Sequence, residues 1–208
     1  MIALCAFAAT RGWSLIDFAR ARARATGETG GATRAWIGVP AVTTAALDAT
    51  LRDIAEQRGA GAAEQRIALL TQLLAARPMS SIAWLSLAGM RVATGQPYET
   101  ILAALKMSSV TGPNEVEVMW ERGIFCLLQW EALPPDFKHR AIVDLAGPIL
   151  AGIVNEPGRR LIRGVLSAMA PQAQAQIASM LQTRGVTARD LKQIGLDAAQ
   201  VQTPPITQ

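Results

Sequence analysis

The chain has 208 residues, half of them apolar, which is enough to bury the core of one domain or of one domain with an appendage at either end. Charged residues make up only 17% and mean hydropathy is positive at +0.23, pointing to an apolar end segment or a partner-facing surface. The net charge of +4 comes from 20 basic residues, only Lys106, Lys138 and Lys192 being lysines, and they are scattered among acidic ones. A nucleic-acid binder concentrates its basic residues in a stripe with aromatics between them, so no nucleic-acid partner is expected.

Met1 to Phe18 reads MIALCAFAATRGWSLIDF, and its uninterrupted apolar part, Met1 to Ala9, is shorter than the roughly 20 residues a bilayer span takes. It lacks the basic start of a secretory signal. Two readings stay open: an amphipathic helix packed on the domain, or the trailing half of a membrane anchor with Trp13 at the interface and Arg20, Arg22 and Arg24 in the solvated stalk.

Thr26 to Thr33 is a turn-rich linker, and Arg58 to Gly61 is a second glycine break. After Pro40 a helix carries Leu47, Leu51 and Ile54 at helical spacing; the next carries Ile67, Leu70 and Leu74 and stops at Arg77 and Pro78. Ser80 or Ser81 can cap a helix bearing Trp84, Leu87 and Ala88, with Gly95 as its stop and Pro97 at the start of its successor. In that successor Ile101, Leu105 and Ser108 form the inward face, and Gly112 with Pro113 ends it. Two helices joined by so tight a turn are the unit of a helical repeat.

Pro78 and Pro113 stand 35 residues apart, against about 34 for the tetratricopeptide period. Counted from Pro78, Trp84 takes the repeat's aromatic place, Leu87 the next apolar one and Ala88 the small one. Counted from Pro113, Met119 and Gly123 fit, but Arg122 stands at the apolar place, and Arg91 and Cys126 stand where tyrosine is usual. Ser81 to Pro113 therefore reads as one good repeat with degenerate neighbours.

Beyond Asn114 a longer helix carries Trp120, Ile124 and Leu127 and is ended by Pro134 and Pro135. Asp136 is placed to cap a helix with Ile142, Leu145 and Ile149, bent or broken at Gly147–Pro148. Pro157–Gly158 and Ala170–Pro171 divide the C-terminal stretch into short helices, the last near Arg189 to Ile194 and capped by Thr187. The tail QTPPITQ reads as disordered.

No nucleophile–base pair stands out. His139, the only histidine, has no GxSxG partner and reads as solvated; Gly30–Gly31 and Gly59 to Gly61 lack the GK[ST] of a phosphate loop. Cys5 and Cys126 read as free buried thiols, and with one histidine they make no zinc site. Glu115, Glu117 and Glu121 crowd a helix start, where they complement its dipole; a carboxylate enzyme would instead have Glu117 and Glu121 facing a pocket. Arg159, Arg160 and Arg163 form the densest basic cluster outside the N-terminus, read as a solvated or salt-bridged face with an anionic partner as the alternative. The tryptophans read as core.

The phrases PMSSIAWLSLAGMRV, SSVTGPNEVEVMWERGIF and LLQWEALPPDFKHR, within residues 78 to 140, resemble a group of tetratricopeptide-like proteobacterial proteins associated with exopolysaccharide or other surface-polysaccharide biosynthesis. The resemblance implies a repeat domain outside the cytoplasmic membrane behind a single membrane helix, and it implies no catalytic residue or cofactor.

The expected fold is all-α: antiparallel tetratricopeptide-like helix hairpins in a short right-handed solenoid with extra C-terminal helices. Its parts are an N-terminal apolar helix or truncated anchor and stalk (1–25), a linker (26–40), a repeat core (41–133), C-terminal helices (134–198) and a disordered tail (199–208). The expected function is a non-enzymatic scaffold that contacts envelope polysaccharide-assembly proteins through Trp84, Leu87, Arg91, Trp120 and Arg122, inner-membrane-associated and periplasmic, with no metal or cofactor. A soluble cytoplasmic regulator that binds a partner's peptide or helix is the alternative.

Overall fold

The structure, a computed structural model, describes residues 60–197. Expectations for residues 1–59 (the apolar N-terminal helix, Cys5, the linker and the helix of Leu47, Leu51 and Ile54) and for the tail from residue 198 lie outside the described residues. Within them the chain is all-helical, without a strand. The described residues form eight α-helices: α1 (Ala60–Ala76), α2 (Ser81–Ala93), α3 (Tyr98–Thr111), α4 (Val116–Leu128), α5 (Pro135–Leu150), α6 (Glu156–Ser167), α7 (Pro171–Thr183) and α8 (Ala188–Gln193). A 3-10 turn, Trp130–Ala132, lies between α4 and α5.

The described residues divide into two compact units between Thr111 and Gly112. That boundary falls inside the span 41–133 expected as a single core, and α4 and α5 pack together across the expected border at 133/134. The physical reason lies in the Gly112–Pro113 break: Arg140 Nη2 donates to the Pro113 carbonyl at 3.0 Å, tying the break to the helices beyond it.

In the first unit α1 packs on α2 and α2 on α3. The buried stripe of α1 is Leu69, Leu70, Leu73 and Leu74; Ile67, expected on it, is only half-buried. Gly61, read as part of a break, lies in the first turn of α1, where missing intrahelical partners make glycine cheap. The α2–α3 turn follows the expected chemistry. Gly95 adopts φ +64°, and its N–H and that of Gln96 donate back to the carbonyls of Val92 and Arg91, closing the orphaned end of α2. α3 turns Ile101, Ala104, Leu105 and Ser108 inward, each burying the small or apolar group that the hairpin needs. A buried leucine such as Leu105 contributes about 1.5–3 kcal/mol.

In the second unit α4 packs on α5 and α6, and α5 on α7. Three expectations need correction here. α4 ends at Leu128, before Pro134–Pro135, because the 3-10 turn drives Trp130 into the core. Asp136 does not cap α5: Pro134 is the cap and Pro135, with its preset φ and no N–H to satisfy, occupies the first helical position. α5 runs through Gly147–Pro148 to Leu150 without breaking, since Pro148 lies so near the end that a single backbone bond is lost. α8 is capped by Thr187 through a reciprocal box with Asp190, as its sequence predicts.

Candidate functional site

The second unit is held by a buried ion cluster. Arg122 on α4 and Asp144 on α5 are both 0% exposed. The guanidinium donates twice to the carboxylate, Nε to Oδ2 at 2.6 Å and Nη2 to Oδ1 at 2.8 Å, and both terminal nitrogens face the Gly112 carbonyl oxygen at 3.5 Å. Arg140, one turn before Asp144, donates to Oδ1 at 3.1 Å. Two arginines on one carboxylate compensate charges that would be costly to bury alone. Cys126, buried beside this cluster, has its thiol pushed up to about 12, chiefly by burial and then by the Asp144 charge, against the pull of Arg122.

With α4 locked onto α5, one face of α4 is left over a groove. Glu117, Trp120 and Glu121 share that face at helical spacing. With Val116 they line a groove of about 490 Å³ whose other wall is Pro148, Ile153, Val154, Asn155 and Gly158. That wall is built locally. Gly152 ends α5 at φ +68°, which leaves Ile153 53% exposed and turns Val154 inward. Asn155 then caps α6 by accepting from the Gly158 N–H at 2.9 Å. A Cβ on Gly158 would meet the Asn155 Oδ1 and Val154 Cγ1 at 3.2 Å, so a bare glycine lets cap, loop and the Trp120 indole come together.

Trp120 is half-buried, its indole forming part of the groove, while Glu117 and Glu121 on the lip are exposed. Among the described residues neither carboxylate has an ion-pair partner. The groove thus offers an aromatic and aliphatic floor with two open negative charges one turn apart. Such a surface suits an apolar side chain flanked by a cation. Glu117 and Glu121 do face a pocket, but both stand in water at its rim.

Of the five residues expected to make the contact surface, Trp84, Leu87 and Arg91 belong to the first unit, Trp120 and Arg122 to the second. Leu87 is 2% exposed and Arg122 fully buried, so neither presents itself to a partner; the first packs the hairpin and the second neutralises Asp144. Trp84 is half-buried and donates its indole N–H to the Pro78 carbonyl at 2.8 Å, bracing the turn that opens α2. Arg91 is half-buried and donates to the Thr100 carbonyl at 2.6 Å, crossing the α2–α3 turn. Trp120 is the member of the five that lines the groove described above. Missing from the sequence-based set were Val116 and Ile153; for Ile153 the signal was present as GIVNEPG, a glycine stop with an asparagine cap close behind it.

His139 is exposed, its Nδ1 2.8 Å from the Pro135 carbonyl oxygen on its own helix. Glu156 is held below the usual carboxylate range by a hydrogen bond from Arg163, whose Nη2 lies at 2.6 Å. Among the described residues no three His, Cys, Asp or Glu side chains gather as metal ligands would. No protein-family model matches the chain, and comparisons with curated proteins and with solved structures find no match.

Proposed function

We propose that this chain is a non-enzymatic helical scaffold whose second unit docks a partner protein in the groove around Trp120. The observation that carries the reading is the combination there of a half-buried indole, exposed Val116 and Ile153, and, at the rim, Glu117 and Glu121 without an ion-pair partner among the described residues. Charge complementarity defines the occupant: a protein segment with an apolar side chain seated on the floor and a lysine or arginine beside it. Buried aromatic anchors dominate binding energy at such contacts, so the indole carries most of the affinity.

The finer reading of α2–α3 as a tetratricopeptide-like hairpin is part of the same proposal. It is supported by the 35-residue spacing of Pro78 and Pro113 and by the burial of Leu87 and Ala88 at the places such a repeat packs. Service in a bacterial envelope polysaccharide synthesis or export system, with the chain attached to the inner membrane and facing the periplasm, rests on the resemblance of residues 78 to 140.

Chromosomal Trp120→Ala, alongside a gene deletion, tests both layers. The proposal expects the deletion to lower secreted and surface-attached glycan, and Trp120→Ala to do the same while the protein accumulates normally. Unchanged glycan in the deletion strain overturns the polysaccharide assignment. Glycan lost on deletion but intact in Trp120→Ala and in Ile153→Glu overturns the groove as the docking site.

A further inference from the structure

Charge in the second unit is polarised along the chain. Between residues 112 and 150 six carboxylates (Glu115, Glu117, Glu121, Glu131, Asp136 and Asp144) outnumber three basic residues; between 156 and 197 six basic residues outnumber Glu156, Asp190 and Asp197. The basic part holds a pocket of its own, separate in chemistry from the Trp120 groove. It is lined by Ile149, Gly152 and Val154 on one side and by Arg159, Arg189, Asp190, Gln193 and Ile194 on the other, with a volume of about 200 Å³.

The charges around this pocket are not equally committed. Arg163 is engaged: it donates to the Gln193 carbonyl at 2.7 Å and to Glu156 at 2.6 Å. The Asp190 carboxylate is engaged as well, its Oδ2 accepting from the Thr187 hydroxyl at 2.6 Å and from the Thr187 N–H at 3.2 Å. The guanidinium groups of Arg159 and Arg189, in contrast, have no hydrogen-bond or ion-pair partner among the described residues, though the Arg159 charge adds to the pull on Glu156. One comes from the first turns of α6 and the other from α8, so two arginines from different helices, neither with a side-chain hydrogen-bond or ion-pair partner among the described residues, line the same pocket.

We propose that this pocket binds an oxyanion, a phosphoryl or carboxylate group, through Arg159 and Arg189. The guanidinium fork matches both groups in shape and charge and donates two parallel hydrogen bonds to either. Whole small molecules occupy cavities of about 300–1,000 Å³, so a pocket this size takes the charged head of a larger ligand and leaves the rest outside. The apolar wall of Ile149, Val154 and Ile194 keeps bulk water from one side of the bound anion, which strengthens its attraction to the arginines. The two sites share Val154 as a wall, but neither arginine lines the Trp120 groove, so loss of anion binding and loss of docking are separate outcomes.

Titration of the ¹⁵N-labelled full chain at constant ionic strength tests the proposal, with inorganic phosphate in one arm and acetate in the other. Saturable amide shifts centred on Gly152, Gln193 and Ile194 are expected. Arg159→Gln and Arg189→Gln should each weaken binding about tenfold, the loss of one charge-assisted bond. Arg184→Gln, an exposed arginine lining a different depression with His139, should leave it unchanged. Saturation by phosphate alone assigns a phosphoryl ligand, and saturation by acetate as well assigns carboxylates. Absence of saturable shifts in both arms overturns the proposal, as do shifts that survive the Arg159→Gln/Arg189→Gln double variant or fall equally in Arg184→Gln.

Discussion

The α2–α3 pair of the first unit and the α4–α5 pair of the second solve the same packing problem by different means. α2 and α3 meet through small and aliphatic groups, Ala88, Ala104 and Leu105 among them, and their turn is closed by backbone bonds at Gly95. α4 and α5 meet over a buried arginine–carboxylate cluster and a glycine pressed against Leu145. The first arrangement gains from every buried methylene. The second gains only while every charge keeps its partner, because a stranded ion in the interior costs several kcal/mol. It ties α4 to α5 through Arg122, two residues after the Trp120 that lines the groove.

The comparison breaks most sharply at Asp144. Asp144→Ala removes the carboxylate that compensates the buried Arg122 charge and should destabilise the second unit by about 3–5 kcal/mol, whereas replacing both ions by Arg122→Met/Asp144→Leu should restore much of that loss. Hydrogen exchange at α4 and α5 amides reads both results; a double variant as unstable as the single one would show that the ions do more than satisfy each other. Gly123→Ala comes next. Its new Cβ would lie 2.7 Å from the side chain of Leu145, which is fully buried and cannot swing away. A loss of about 1–3 kcal/mol is expected in urea denaturation.

The thiol beside the ion cluster makes the comparison pH-dependent. Cys126 keeps its proton in the folded unit up to about 12, against an ordinary value of 9.0 for the unfolded chain. The folded state therefore holds the proton more tightly, so this contribution is complete below pH 9 and declines as pH rises from 9 towards 12. The folding equilibrium should fall about tenfold per pH unit in that window, and Cys126→Ala should flatten the slope. The smallest effect has the opposite sign. Gly89 lies within α2 with open space where a Cβ would point, so Gly89→Ala should stabilise the first unit by about 0.5–1 kcal/mol, visible as a higher thermal midpoint. If Gly89→Ala and Gly123→Ala moved stability in the same direction, the claimed contrast between an open hairpin and a locked one would be wrong.

Sequence reasoning reached furthest where structure is local. The inward face of Ile101, Leu105 and Ser108, the Gly95 stop and the Thr187 cap were all readable, because each depends on residues within a turn or two of one another. It failed at Pro135, where a stop signal proved to be a helix start, since proline supports both roles and only its neighbours choose between them. At Leu87 and Arg122 helical spacing located a face without saying what covered it, and both side chains are buried.

By itself, then, the order of residues determined that this region is helical, where most helices begin and end, and which stripes are apolar; backbone hydrogen bonds close within four residues, so their chemistry is written in short windows. Only the tertiary structure decided that Arg122 finds Asp144, 22 positions away, and that Trp120 meets Ile153 and Gly158 across a groove. Those meetings depend on how helices stack, which is set by the shapes of many side chains at once and not by any pair of them.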